Sequence, residues 1–157
     1  MFIVTKVIFM NLYSIFLHVH SGLRWLVLLS LLLAIILGFY GWTRKKEWKS
    51  LDSKAGLFLM IFMDLQFLVG LILYAFLSPI TKLAFKDFGA AMKNADLRFY
   101  AVEHILMMLI ALVLVHIGRS KTKKDVAGWK RHRSAAIFYS ISLIVILAAI
   151  PWDRALF

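Results

Sequence analysis

Hydrophobic residues dominate the chain in four long runs, and charged residues gather almost entirely between the runs. Crossing a hydrocarbon core of roughly 30 Å takes about 20 helical residues, and each run reaches or approaches that length. A spanning segment must satisfy its own backbone hydrogen bonds, which favours helices. The pattern predicts an all-α integral membrane protein with spans over about 12–42, 55–78, 98–118 and 134–151.

The connections between the runs are short, so consecutive helices are expected to be antiparallel neighbours. This predicts a single domain over 1–157, folded as a four-helix up-down-up-down bundle. The first run is too long for the apolar region of a signal peptide, so we expect it to be retained. The second connection is the longest, and its Phe85, Phe88 and Met92 fit either a short amphipathic helix on the surface or a simple tether.

The net charge of +11 indicates a membrane orientation rather than a nucleic-acid partner, because the basic residues lie between the spans. The first connection, "TRKKEWKSLDSK", and the third, "RSKTKKDVAGWKRHR", hold most of the lysines and arginines. By the positive-inside rule these two connections are expected to be cytoplasmic. Both chain termini and the second connection are then expected outside.

Few polar residues interrupt the apolar runs, and such groups are functional candidates because burying them without a partner is costly. The chain has no cysteine, which excludes disulfides, iron–sulfur clusters, zinc–thiolate sites and covalently attached haem. Histidine, methionine and carboxylate remain as ligands. The ionisable or amide residues within the runs are His18, His20, Arg24, Asp64, Gln66, Glu103, His104 and His116.

Two histidines on different helices are predicted to lie at the same depth. At about 1.5 Å per residue, His20 lies roughly 10 Å from Tyr13 and His104 roughly 9 Å from Arg98, the two outer edges. Two imidazoles at one level can bind a haem iron from opposite faces, and bundle cores commonly hold such cofactors. His20 and His104 are therefore the predicted ligands of one haem b.

His18 is the alternative ligand on the first helix. It points about 200° away from His20, so both side chains cannot face the bundle core. Arg24 follows His20 by four residues and shares its face, which favours His20. Arg24 itself has two candidate partners: an ion pair with Asp64, close to mid-bilayer, or a haem propionate.

His116 and His132 raise the prospect of a second haem near the cytoplasmic end. Their geometry is less suitable, because His104 and His116 differ by about 120° in direction on one helix. His132 lies in the basic stretch "WKRHR", where an interfacial histidine is the simpler interpretation. The methionines Met60, Met63, Met107 and Met108 leave a His/Met haem or a copper(I) site open.

Four stretches, "LHVHSGLRWLVLL", "MDLQFLVGLILY", "RFYAVEHILMMLIALVLVHIGRSK" and "AAIFYSISLIVILAAIPW", resemble a family of small four-helix bacterial membrane proteins labelled cytochrome b. The resemblance covers nearly the whole chain and implies a b-type haem held by histidines of the first and third helices. It also implies the bacterial inner membrane. The similarity to cytochrome b561-type bundles extends only to the architecture.

These observations predict a membrane-bound electron carrier, or a subunit of an oxidoreductase, rather than a stand-alone enzyme. Its electrons would come from quinol or from a membrane redox partner. Two alternatives stay open. One is a non-catalytic accessory subunit of a larger respiratory complex, and the other is a copper-handling membrane protein.

Overall fold

Four long helices make up most of the chain in the computed structural model, which describes residues 2–152 and their side chains from residue 8 onward. Each long helix, including its continuation through neighbouring turns, is long and apolar enough to cross a membrane. The protein is an all-α, multi-pass membrane bundle, as the hydrophobic pattern predicted. The long helices are α1 (Phe2–Thr43), α2 (Ser50–Ile72), α6 (His104–Thr122) and α7 (Gly128–Ala149).

The four helices form a square in which α1 packs against α2 and α7, and α6 packs against α7 and α2. Helices α1 and α6 are therefore diagonally opposite across the core. The chain ends, residues 1 and 153–157, lie outside the described residues. The predicted spans agree with these helices, although α1 begins at Phe2 instead of near residue 12 and α7 begins at Gly128 instead of near residue 134.

Small residues bring α1 and α7 into close contact. A Cβ atom added at Gly38 would lie 2.9 Å from the backbone nitrogen of Ala136. One helical turn further along α1, a Cβ at Gly41 would overlap the imidazole ring of His132. Close approach through small residues is the usual way in which helices associate in a membrane, where no hydrophobic force drives them together.

Three short helices, α3 (Pro79–Lys86), α4 (Phe88–Ala91) and α5 (Ala95–Arg98), fill the connection between α2 and α6. The connection is thus helical rather than a simple tether, although it contains three short pieces where one was expected. Each piece begins at a polar cap: the side chain of Ser78 accepts from Thr81 N, Asp87 from Ala90 N and Asn94 from Leu97 N. Such caps satisfy backbone N–H groups that have no partner within the helix.

Two π-helical turns flank this connection, at Leu73–Leu77 and at Phe99–Glu103. The hydroxyl of Tyr74, in the first turn, donates to the carbonyl of Ala101 in the second at 2.8 Å. Single π turns inside longer helices are frequent at functional sites. Here they end α2 and begin α6 at the same end of the bundle.

Replacing Tyr74 with phenylalanine should lower the free energy of unfolding by about 0.5–1.5 kcal/mol, because the hydrogen bond to the Ala101 carbonyl is lost. Chemical unfolding in detergent micelles measures this change. Tyr40→Phe is the matched control, since the Tyr40 hydroxyl bonds Lys46 Nζ on an exposed surface. An equal loss in both variants would contradict a specific role for the Tyr74 bond.

Candidate cofactor site

A cavity of about 390 Å³ lies within the bundle at the end that carries the two π turns. Its volume is within the range of roughly 300–1,000 Å³ that is usual for small-molecule and cofactor pockets. All four long helices contribute to its wall, together with the start of α3. Its lining includes His18, His20, Arg24, Val27, Met63, Gln66, Gly70, Tyr74, Thr81, Tyr100, His104, Met108, Ile146 and Pro151.

His20 enters the cavity from α1 and rests against α2. Its Nε2 lies 3.2 Å from the side-chain nitrogen of Gln66. Gly70, one turn further along α2, provides the space for the ring, because a Cβ there would lie 2.9 Å from His20 Cε1. Among the described residues, His20 Nδ1 and Gln66 Oε1 are buried polar atoms without a hydrogen-bond partner.

His104 enters from the diagonally opposite helix, at the first residue after the second π turn. Its Nδ1 donates to the carbonyl oxygen of Ala149 at 2.9 Å, which ties α6 to the end of α7. The rings of Phe99 and Tyr100 lie beside it, with centroids 5.8 Å and 6.4 Å away. Because Nδ1 carries the proton, Nε2 holds the lone pair that a metal ion requires.

The two imidazole rings lie next to each other in the core in an edge-on arrangement, with centroids 6.4 Å apart and planes at 66°. Metal–imidazole bonds of about 2.0–2.1 Å, plus roughly 1.1 Å from nitrogen to ring centre, give a separation of about 6.3 Å across one metal ion. The interplanar angle is compatible with that arrangement, since each ring can turn about the bond to the metal. The separation of the two rings is therefore the one expected for a bis-histidine haem iron.

Gln66 is the residue that such an iron must displace. The Gln66 amide nitrogen donates to His20 Nε2, so it occupies the lone pair that a metal would use. A metal bound at His20 Nε2 would require this amide to turn away. The buried and unpartnered Gln66 Oε1 shows that the amide has an unmet hydrogen-bonding group in its present position.

The other candidate residues near the cavity are His18 and Arg24. His18 is exposed, and its Nδ1 donates to the carbonyl of Ser14 in its own helix at 2.6 Å. Arg24 lines the cavity, and its guanidinium lies 5.7 Å from the ring centroid of the neighbouring Trp25. Arg24 thus adds positive charge to the cavity wall, one turn from His20.

Asp64 does not form the predicted ion pair with Arg24. Its Oδ1 instead accepts from His116 Nε2 at 2.7 Å, joining α2 to α6. Counting residues gave similar depths for Arg24 and Asp64, but the depth does not determine which helix face each residue occupies. His116 is consequently engaged by a carboxylate.

His132 lies near the start of α7 and is buried, with 2% of its surface exposed. Its Nε2 donates to the carbonyl of Glu47 at 3.3 Å and lies 3.8 Å from Asp52 Oδ2. The ring also packs on Trp48, with centroids 4.7 Å apart. His132 thus joins α7 to the connection between α1 and α2.

Two of the four candidate methionines, Met63 and Met108, line the cavity. Met63 is almost completely buried. Their thioethers are therefore near the same space as the two imidazoles. Glu103, the residue before His104, forms an ion pair with Arg98 at 2.6 Å.

Gln66 and Gly70 are site residues whose roles sequence reasoning did not identify. The sequence does contain a signal for these two residues: their spacing of four places both on one face of α2. That face is the one that receives His20. No family model matches the chain, and no curated protein or solved structure is significantly similar to it.

Proposed function

We propose that this protein is a membrane-bound electron carrier that binds one haem b through His20 and His104. The observation that carries the proposal is the 6.4 Å separation of the two imidazole rings across a cavity of about 390 Å³. Ligands on diagonally opposite helices would hold the macrocycle between them. The bound haem would supply a one-electron iron couple, and two histidine ligands favour electron transfer over oxygen chemistry.

The remaining groups at the site would orient the ligands and match the charge of the cofactor. The Ala149 carbonyl holds the proton of His104 on Nδ1 and so directs the lone pair to Nε2. Gly70 leaves room for the His20 ring. Arg24 on the cavity wall is suited to a propionate, since a guanidinium binds carboxylates well.

We further propose that the protein lies in a bacterial inner membrane with its two basic connections in the cytoplasm. The asymmetric distribution of lysine and arginine supports this orientation. Both termini, the short helices α3–α5 and the haem would then be on the periplasmic side. Electrons would come from quinol or from a membrane redox partner, and the carrier would act alone or within a respiratory complex.

The visible spectrum of the purified protein tests the proposal. Oxidised and dithionite-reduced samples should show a Soret band, with sharp α and β bands after reduction, at one haem per chain. A pyridine haemochrome assay identifies the haem type. A protein that never binds haem, during expression or after reconstitution, would contradict the proposal and favour the accessory-subunit alternative.

Copper(I) handling is a second candidate function, because Met63 and Met108 share the cavity with the two histidines. Thioether and imidazole groups together are suitable ligands for copper(I). Metal analysis of the same purified protein separates the two functions. Copper without haem, lost on replacing Met63 and Met108 with leucine, would favour this candidate.

A further inference from the structure

The His116–Asp64 pair is a second polar site in the membrane-spanning part of the bundle, outside the proposed haem site. The two side chains join α6 and α2 with a bond of 2.7 Å, and each is 46% exposed. Asp64 lies near the middle of the span Ser50–Leu77. His116 follows His104 on the same helix by twelve residues, a rise of about 18 Å.

The surroundings of the pair are apolar and open to lipid. On α2 the residues three before and four after Asp64, Ile61 and Leu68, are both exposed. On α6 the neighbours Val113 and Ile117 are exposed as well. Ile61, Leu68 and Val113 lie three or four residues from the pair and so share its helix faces, and Ile117 adjoins His116 in the sequence. The His116–Asp64 pair is therefore a polar patch on a hydrophobic surface.

Such a polar patch costs free energy in a bilayer unless another group completes its hydrogen bonds. Ionisable residues of membrane spans usually face the bundle interior or a water-filled cavity. This pair satisfies one hydrogen bond internally, through His116 Nε2 and Asp64 Oδ1. With its proton on Nε2, the imidazole retains a lone pair on Nδ1, and the carboxylate retains further acceptor sites.

We propose that the His116–Asp64 pair binds the head group of a lipid-soluble hydroquinone. Such a molecule brings two O–H donors to a site that offers acceptors, and its aromatic ring and apolar tail suit the exposed Ile61, Leu68, Val113 and Ile117. It also reaches the site directly from the lipid phase. The choice of a quinol rests on the proposed function, since a haem carrier within a membrane needs a lipid-soluble electron donor.

Photolabelling tests the site without relying on electron transfer. The full-length protein in lipid nanodiscs is illuminated with an azido-substituted, short-tailed quinol, and the labelled peptides are identified by mass spectrometry. Labelling should fall on α2 and α6 around Asp64 and His116 and should disappear with excess unlabelled quinol. Removal of a hydrogen bond worth about 1 kcal/mol should reduce labelling about fivefold in His116→Ala and Asp64→Asn.

Ile144→Ala is the matched control, because Ile144 is 67% exposed on α7, on a different helix from the pair. Its labelling should equal that of the original protein. Labelling spread over all four helices, or labelling unchanged in both His116→Ala and Asp64→Asn, would overturn the proposed quinol site. Far-UV circular dichroism on each variant identifies a failure to fold, in which case His116→Gln and Asp64→Ser replace the original pair of variants.

A second copy of the chain is the competing occupant of this surface. Because the chain has no cysteine, an Ile117→Cys variant reports it directly through disulfide-linked dimers. Efficient dimer formation together with absent labelling would overturn the quinol site. The spectrum of the same samples separates this inference from the proposed function. Labelling that depends on His116 in a protein without haem would remove the electron-carrier proposal and leave the quinol site standing.

Discussion

Replacing His104 with alanine should abolish the sharp reduced α and β bands, and His20→Ala should do the same. Each change would remove one of the two proposed iron ligands, and the remaining histidine alone would not hold a bis-histidine haem. Loss of a group that merely supports a metal ligand costs about 10–100-fold in affinity, so loss of a ligand should lower haem content at least about tenfold. Spectra and haem-to-protein ratios of detergent-purified variants measure both effects.

His116→Ala is the matched control for the His104 variant. Both histidines lie on α6, but His116 bonds Asp64 and is half-exposed. The spectrum of this variant should be that of the original protein. If the α and β bands survive in either His20→Ala or His104→Ala, the ligand assignment is wrong, and His18→Ala then becomes the decisive variant on α1.

Gly41→Ala should be the most destabilising single-methyl addition on α1. Its new Cβ would overlap the ring of His132, which is buried and held by Glu47 and Trp48. The ring cannot move aside without giving up these contacts, so α1 and α7 must separate. Overpacking of this kind costs about 1–3 kcal/mol, and unfolding by a denaturing detergent measures it.

Gly22→Ala provides the control on the same helix. A Cβ at Gly22 meets no atom within 4 Å, so the change adds only helix propensity. Alanine is favoured over glycine by about 0.8–1.0 kcal/mol in a helix interior, which predicts equal or greater stability. If Gly41→Ala were as stable as Gly22→Ala, the close contact between α1 and α7 would not contribute to stability as described.

The bundle was predictable because its signals are local or compositional. Apolar length identified the four spans, and Pro79 after Ser78 is a typical helix start in the second connection. The depth of each residue in its span could also be predicted, since the rise per residue is constant. Counting residues placed His20 and His104 at one level. The structure brings their rings within 6.4 Å of each other.

Which residues contact each other was harder to predict from the sequence, as Asp64 and His132 show. Asp64 was assigned to Arg24 on the basis of depth, whereas its bond is to His116. The basic neighbours of His132 gave no sign that its ring is buried between helices, where Gly41 leaves room for it. In both cases the deciding quantity is the rotation of one helix relative to another. That rotation depends on the packing of side chains distant in sequence.

The sequence by itself determined that this protein is a four-helix membrane bundle, with a strong charge asymmetry between its ends and few polar groups in its spans. Only the tertiary structure decided how those polar groups combine: His20 with Gln66 and opposite His104, and Asp64 with His116. The physical reason is that lipid imposes length and hydrophobicity on each helix separately. Close packing between helices, by contrast, selects which faces meet.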